Sequence, residues 1–127
     1  MLARFQTDVM ALRPSKVVIE AGTNDVGGPV GTEAIQTMAE IAVNSGAKVI
    51  LVNVMSRNLA LPIDVPSVRT AIQLFNNALL TLATTCGYTY VDAYSATLSS
   101  DGSLNSALTP DGLHLNSEGY KVLNSLL

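Results

Sequence analysis

The chain has 127 residues, of which 48% are apolar and 13% charged, with a formal net charge of −3. That length suits one domain, residues 1–127, burying about two-thirds of its unfolded surface without covalent staples. Charged residues are scarce against the roughly 25% of an average soluble protein, so the surface is inclined to associate. Seven scattered Lys and Arg residues give no basic stripe for a phosphate backbone, and nucleic-acid binding is not expected. A single cysteine, Cys86, excludes an internal disulfide and leaves the redox compartment open; it reads as a small buried hydrophobe near a helix end. With one histidine beside it, soft ligands are too few for a zinc site, and no cofactor or metal is implied.

Leu2, Phe5, Val9 and Leu12 fall on one helical face, and Pro14 stops the helix. "KVVIEA" (16–21) reads as a strand and "GTNDVGGPVG" as the loop that follows. "TEAIQTMAEIAVNSG" is a helix with Thr32 in the N-cap position and Gly46 as its C-cap. "AKVILVNV" (47–54) is apolar at both alternating sets of positions, the mark of a strand covered on both sides. "MSRNLALPIDVP" is a loop. From Ser67 a long helix places Val68, Ile72, Phe75, Leu79 and Leu82 on one face and ends at Gly87. "YTYVDA" is a third strand, residues 94–110 read as irregular, and a last helix from Asn116 to Leu127 buries Tyr120, Leu123 and Leu127. The longest apolar stretch is about half a membrane span, and "MLARFQTDVMAL" does not have the layout of a signal peptide, so the chain is expected to stay where it is made.

Alternating helices and strands predict an α/β fold with a parallel sheet, right-handed crossovers and helices on both faces. Ligands of such sheets bind beyond the carboxyl ends of the strands. Asn24 follows the first strand and Ser56 the second, so both belong to that edge. Near the C-terminus, Asp111 stands three residues before His114, the only histidine. A carboxylate so placed can fix the tautomer of the ring and leave its other nitrogen as a base. The same spacing also suits a histidine packed between Leu113 and Leu115 with a capping carboxylate. "GTND" equally suits a tight turn, or an Asn24 amide aimed into the cleft as an oxyanion donor. Asp25 reads as a turn residue, and Glu20 as a protective charge on an edge strand.

"VVIEAGTNDVGG" and "LTPDGLHLNSEGYKVL" resemble the third and fifth conserved blocks of the SGNH (GDSL-type) hydrolases, serine esterases and lipases with a flavodoxin-like parallel sheet. "NNALLTLATTCGYTYVDAYSA" is in keeping with them, so the resemblance spans essentially the whole chain. It implies a three-layer α/β/α fold of about three strands, with Asn24 as oxyanion donor, His114 as general base and Asp111 as its orienting carboxylate. The substrate it implies is a short acyl ester.

The family's Gly-Asp-Ser nucleophile block, and the glycine block after it, have no counterpart here; "SDGS" around Ser103 has the letters in another order. Ser56 is the best-placed serine as a nucleophile. In the family's strand order 2-1-3-4-5 the strand at 16–21 would keep an unpaired edge. That edge predicts a homo-oligomer, formed by pairing of these edges or by exchange of the opening helix. Three outcomes stay open: a weak esterase using water, an inactive binding or assembly module, and a fragment completed in trans.

Overall fold

The computed structural model describes residues 1–26, 32–58 and 66–127. The ends of the two predicted loops, 27–31 and 59–65, lie outside them. The elements run α1 (Leu2–Asp8), a 3-10 turn (Met10–Leu12), β1 (Lys16–Glu20), α2 (Glu33–Asn44), β2 (Lys48–Val52) and α3 (Pro66–Cys86). They continue with β3 (Thr89–Val91), α4 (Ala93–Thr97), a 3-10 turn (Ser106–Leu108) and α5 (Ser117–Leu126). The strands are parallel in the order β1-β2-β3, with Val18 beside Ile50 and Leu51 beside Tyr90.

Both crossovers lie on one face, as right-handed connections require when each new strand is added on the same side. There α1, α2 and α3 cover Val17, Ile19, Val49 and Leu51 with Phe5, Met38, Ile72, Phe75 and Leu79. On the opposite face Leu115 and Leu123 of the C-terminal segment, with Leu104, cover Ile50, Val52 and Val91. Each fully buried Leu or Ile side chain contributes roughly 1.5–3 kcal/mol relative to exposure. This explains why β2 buries four residues in a row, whereas β1 alternates, with Val17 and Ile19 buried and Lys16, Val18 and Glu20 exposed. The predicted α/β architecture with helices on both faces is the one observed.

Several local expectations are corrected. The opening helix tightens to 3-10 at Met10, so Met10 turns inward and Leu12 is left 79% exposed; Arg13 then takes a left-handed φ of 52°. Three residues per turn rather than 3.6 rotates the face at Leu12, while Leu2 at the other end is also exposed, so the predicted face holds at Phe5 with Val9 half-buried. Thr32 occupies the N-cap position of α2 without a side-chain capping bond. Ser45 is the C-cap, and Gly46, at φ 86°, follows it in a double-bonded ending, Gly46 N–H to Val43 O and Ala47 N–H to Ala42 O. Residues 94–110 are not wholly irregular, because the Asp92 side chain accepts from Ser95 N–H and starts α4. Cys86 is exposed rather than buried, on the solvent side of α3. In α5, Leu123 is buried but Tyr120 and Leu127 are 52% and 44% exposed, and Gly119 packs inward instead.

The exit from β2 is fixed by two buried amides that the hydrophobic pattern does not reveal. Asn76 of α3 receives Val54 N–H at 2.9 Å and donates to Val54 O at 2.8 Å. Asn53 donates to Asp92 Oδ1 and Tyr90 Oη and accepts from Tyr94 N–H. Both satisfy buried backbone and side-chain groups that would otherwise be costly, and they set the direction of the Met55–Arg57 segment.

Candidate active site

At the carboxyl end of β1 the chain turns at Gly22, whose carbonyl accepts from both Asp25 N–H and Val26 N–H, and so presents Asn24 to solvent. Among the described residues no hydrogen bond engages the Asn24 side chain, so its amide is free to donate. Arg57 holds this turn from the next loop, donating to Thr23 O at 2.6 Å. Gly22 sits at φ 113°, and a Cβ there would overlap the ring of Phe75. Gly22→Ala is therefore expected to cost about 2–4 kcal/mol, from backbone strain and overpacking together, read as a lower urea midpoint at unchanged slope.

The Asp111–His114 turn is built from its own backbone. Asp111 Oδ1 accepts from Leu113 N–H at 2.9 Å and His114 N–H at 2.8 Å, while Oδ2 lies 2.6 Å from His114 Nδ1. Thr109, buried, donates to His114 O at 2.7 Å and accepts from Gly112 N–H at 2.9 Å. Gly112, at φ 79°, closes the turn, and its carbonyl receives Asn58 N–H from the loop after β2. The bond to the His114 ring, with the backbone N–H groups of His114 and Leu113, holds the Asp111 carboxyl well below the usual carboxylate range. An ionised Asp111 places the proton on Nδ1 and leaves Nε2 with its lone pair. The packed-histidine alternative does not describe this site, since the His114 side chain is 74% exposed while Leu115 is buried.

Asn24 and His114 line one cleft of about 200 Å³, together with Glu20, Thr23, Met55, Leu113, Leu115 and Tyr120. Glu20 is both the edge charge expected from the sequence and a wall of this cleft, where desolvation holds its carboxyl above the ordinary glutamate range. Asp25 lies outside that cleft and lines a neighbouring groove. Among the described residues no group of three or more His, Cys, Asp and Glu side chains could hold a metal. No described helix is long and apolar enough to cross a membrane.

Ser56 does not join the site. It is 2% exposed and its hydroxyl donates to Gly102 O at 2.8 Å, so burial and a structural bond both remove it from the cleft. Ser103 is likewise buried, donating to Asp101 Oδ1 at 2.6 Å. Ser56→Ala is expected to cost about 1–2 kcal/mol for the unsatisfied carbonyl while leaving turnover per folded molecule unchanged. Denaturant titration and an ester assay on the same sample check both halves.

A short parallel sheet with an Asn loop and an Asp-His turn meeting beyond its carboxyl edge defines a hydrolase-type α/β domain of the SGNH class. The chain belongs to the GDSL-like lipase/acylhydrolase family, whose model matches residues 1–122. Among solved structures it is similar to one described as a candidate acylhydrolase from Bacteroides fragilis, with 37% identity and a TM-score of 0.84 over 98% of this chain and 64% of the other. It is also similar to a GDSL-like lipase from Bacteroides thetaiotaomicron, with 32% identity and a TM-score of 0.86 over 98% and 65%. A lipase/acylhydrolase from Enterococcus faecalis matches with 25% identity and a TM-score of 0.80 over 98% and 65%. The chain thus spans just under two-thirds of the length of these relatives. No curated protein matches it.

Proposed function

We propose that these residues form the acid–base and oxyanion-binding part of a carboxylic-ester hydrolase acting on short acyl esters. The observation that carries the reading is that Asn24 and His114, distant in sequence, line one cleft with their working atoms unengaged by the described residues. In this reading His114 Nε2 takes the proton of the attacking O–H group. Asn24 donates to the carbonyl oxygen as it becomes an oxyanion, and the imidazolium returns its proton to the leaving alkoxide. Asp111 keeps the ring in the required tautomer throughout.

The attacking group is water in this chain taken by itself. The sequence holds no Gly-Asp-Ser block, and among the described residues no serine lines the cleft. General acid–base assistance is then the main kinetic gain, about 10²- to 10⁴-fold, and activity is confined to esters with good leaving groups. A hydroxyl supplied by polypeptide beyond these residues would raise it further.

The two buried, bonded serines also favour a second reading, a module that binds an acyl group without turning it over. Hydrolysis of p-nitrophenyl acetate by size-fractionated protein separates the two. Release of p-nitrophenol above buffer supports the hydrolase. No release together with saturable binding of butyrate in titration calorimetry supports the binding module and removes the catalytic assignment.

A further inference from the structure

Asn24 and His114 come from segments far apart in sequence, so something must hold one against the other. Taking their cleft as the hydrolase site proposed above, we infer that Arg57 is its positioning residue, fixing the Asn24 turn relative to the Asp111–His114 turn. A donor serves an oxyanion only when it lies about 2.7–3.1 Å away, and a displacement of roughly 1 Å can cost about 10²-fold in rate. Asn24 is exposed and its side chain bonds nothing among the described residues, so the backbone of its turn sets where the amide points.

The segment that leaves β2 touches both halves of the site within a few residues. Met55 lines the cleft, the Arg57 guanidinium donates to Thr23 O at 2.6 Å, and Asn58 N–H donates to Gly112 O at 2.8 Å. The segment itself is fixed from below, because Ser56 Oγ donates to Gly102 O and Arg57 O accepts from the N–H of the fully buried Leu104 at 3.1 Å. From that fixed base the guanidinium reaches the peptide group joining Thr23 to Asn24. Among the described residues it is the one side chain that hydrogen-bonds the turn at 22–26 from another element. No carboxylate among them pairs with it, and its Nε is buried there without a hydrogen-bond partner. A buried donor left unsatisfied is costly, so an arginine kept only to pack this loop is poorly suited to the position. Its charge-assisted bond to Thr23 O is directional and roughly twice as strong as a neutral one, which is what an anchor for a catalytic turn requires.

Amide hydrogen exchange by NMR and hydrolysis of p-nitrophenyl acetate test this in wild type, Arg57→Met, Arg57→Lys, Asn24→Ala and Arg57→Met/Asn24→Ala, with circular dichroism on each to verify folding. Arg57→Met keeps the apolar stem and removes the donors. It is expected to speed exchange at Asp25 and Val26 about tenfold, while Leu113 and His114, whose N–H groups bond Asp111, stay within about twofold. Its kcat is expected to fall roughly tenfold to a hundredfold with KM within about threefold, and Arg57→Lys to return to within about tenfold of wild type. In the Asn24→Ala background the same change should cost less than about threefold, because Arg57 then has no donor left to place. Arg57→Gln, two atoms shorter in reach, takes the place of Arg57→Met should that variant fail to fold. Unchanged exchange at Asp25 and Val26 would overturn the inference, as would a loss that persists undiminished without Asn24. A wild type that releases no p-nitrophenol would defeat the hydrolase reading, and the exchange rates would still decide whether Arg57 holds the turn.

Discussion

His114→Ala is expected to lower kcat/KM for p-nitrophenyl acetate by roughly 10²- to 10⁴-fold, the usual contribution of a positioned general base. The loss should be chemical and not structural. The ring is 74% exposed and, among the described residues, its side chain bonds only Asp111, so the variant should unfold within about 0.5 kcal/mol of wild type. Imidazole added to the buffer should restore part of the rate, which repacking of a damaged fold could not do. Asp111 stays ionised well below neutrality, because the His114 ring and two backbone N–H groups hold its carboxyl below the usual carboxylate range. Its lowered folded value stabilises the turn above the ordinary aspartate range, near pH 4, and that contribution is lost only on stronger acidification. Full activity in His114→Ala would remove the ring from the mechanism.

Asn24→Ala is expected to reduce kcat by about 10²- to 10³-fold, or roughly 2.7–4 kcal/mol of transition-state stabilisation, with little change in KM. The split follows from where the charge develops. A ground-state carbonyl gains little from the amide, whereas the oxyanion gains much. Asn24→Asp should be at least as damaging, since its carboxylate repels the developing negative charge while keeping the shape of the turn. Asn24 is exposed and its side chain makes no hydrogen bond among the described residues, so neither variant should shift the urea midpoint. Equal loss in kcat and KM for Asn24→Ala and Gly22→Ala would point to collapse of the turn instead of loss of a donor.

The elements and the Asp111–His114 pairing were largely legible in the residues. Apolar periodicity locates α2, α3 and the three strands because a buried face must repeat with the geometry of its element. The four consecutive buried residues of β2 announce a central strand. Asp111 and His114 could be paired from sequence, since three residues of turn bring a carboxylate to its own histidine by local geometry. Residues 94–110 were harder to read because α4 depends on one capping carboxylate, Asp92, which is itself held by Asn53 from the segment just after β2. The roles of Asn76, Arg57 and Thr109 were likewise hidden, because a polar side chain in a sequence does not disclose which distant backbone group it satisfies.

Sequence alone thus determined the α/β class and the local Asp-His pair, which follow from periodicity and short-range spacing, while two motif blocks carried the family resemblance. Only the tertiary structure decided that Asn24 and His114 share a cleft and that Ser56 is buried against Gly102. It also decided that, among the described residues, β1 pairs only with β2. Those outcomes depend on packing between segments far apart in the chain, where burial and hydrogen-bond satisfaction select one partner among many that the sequence permits.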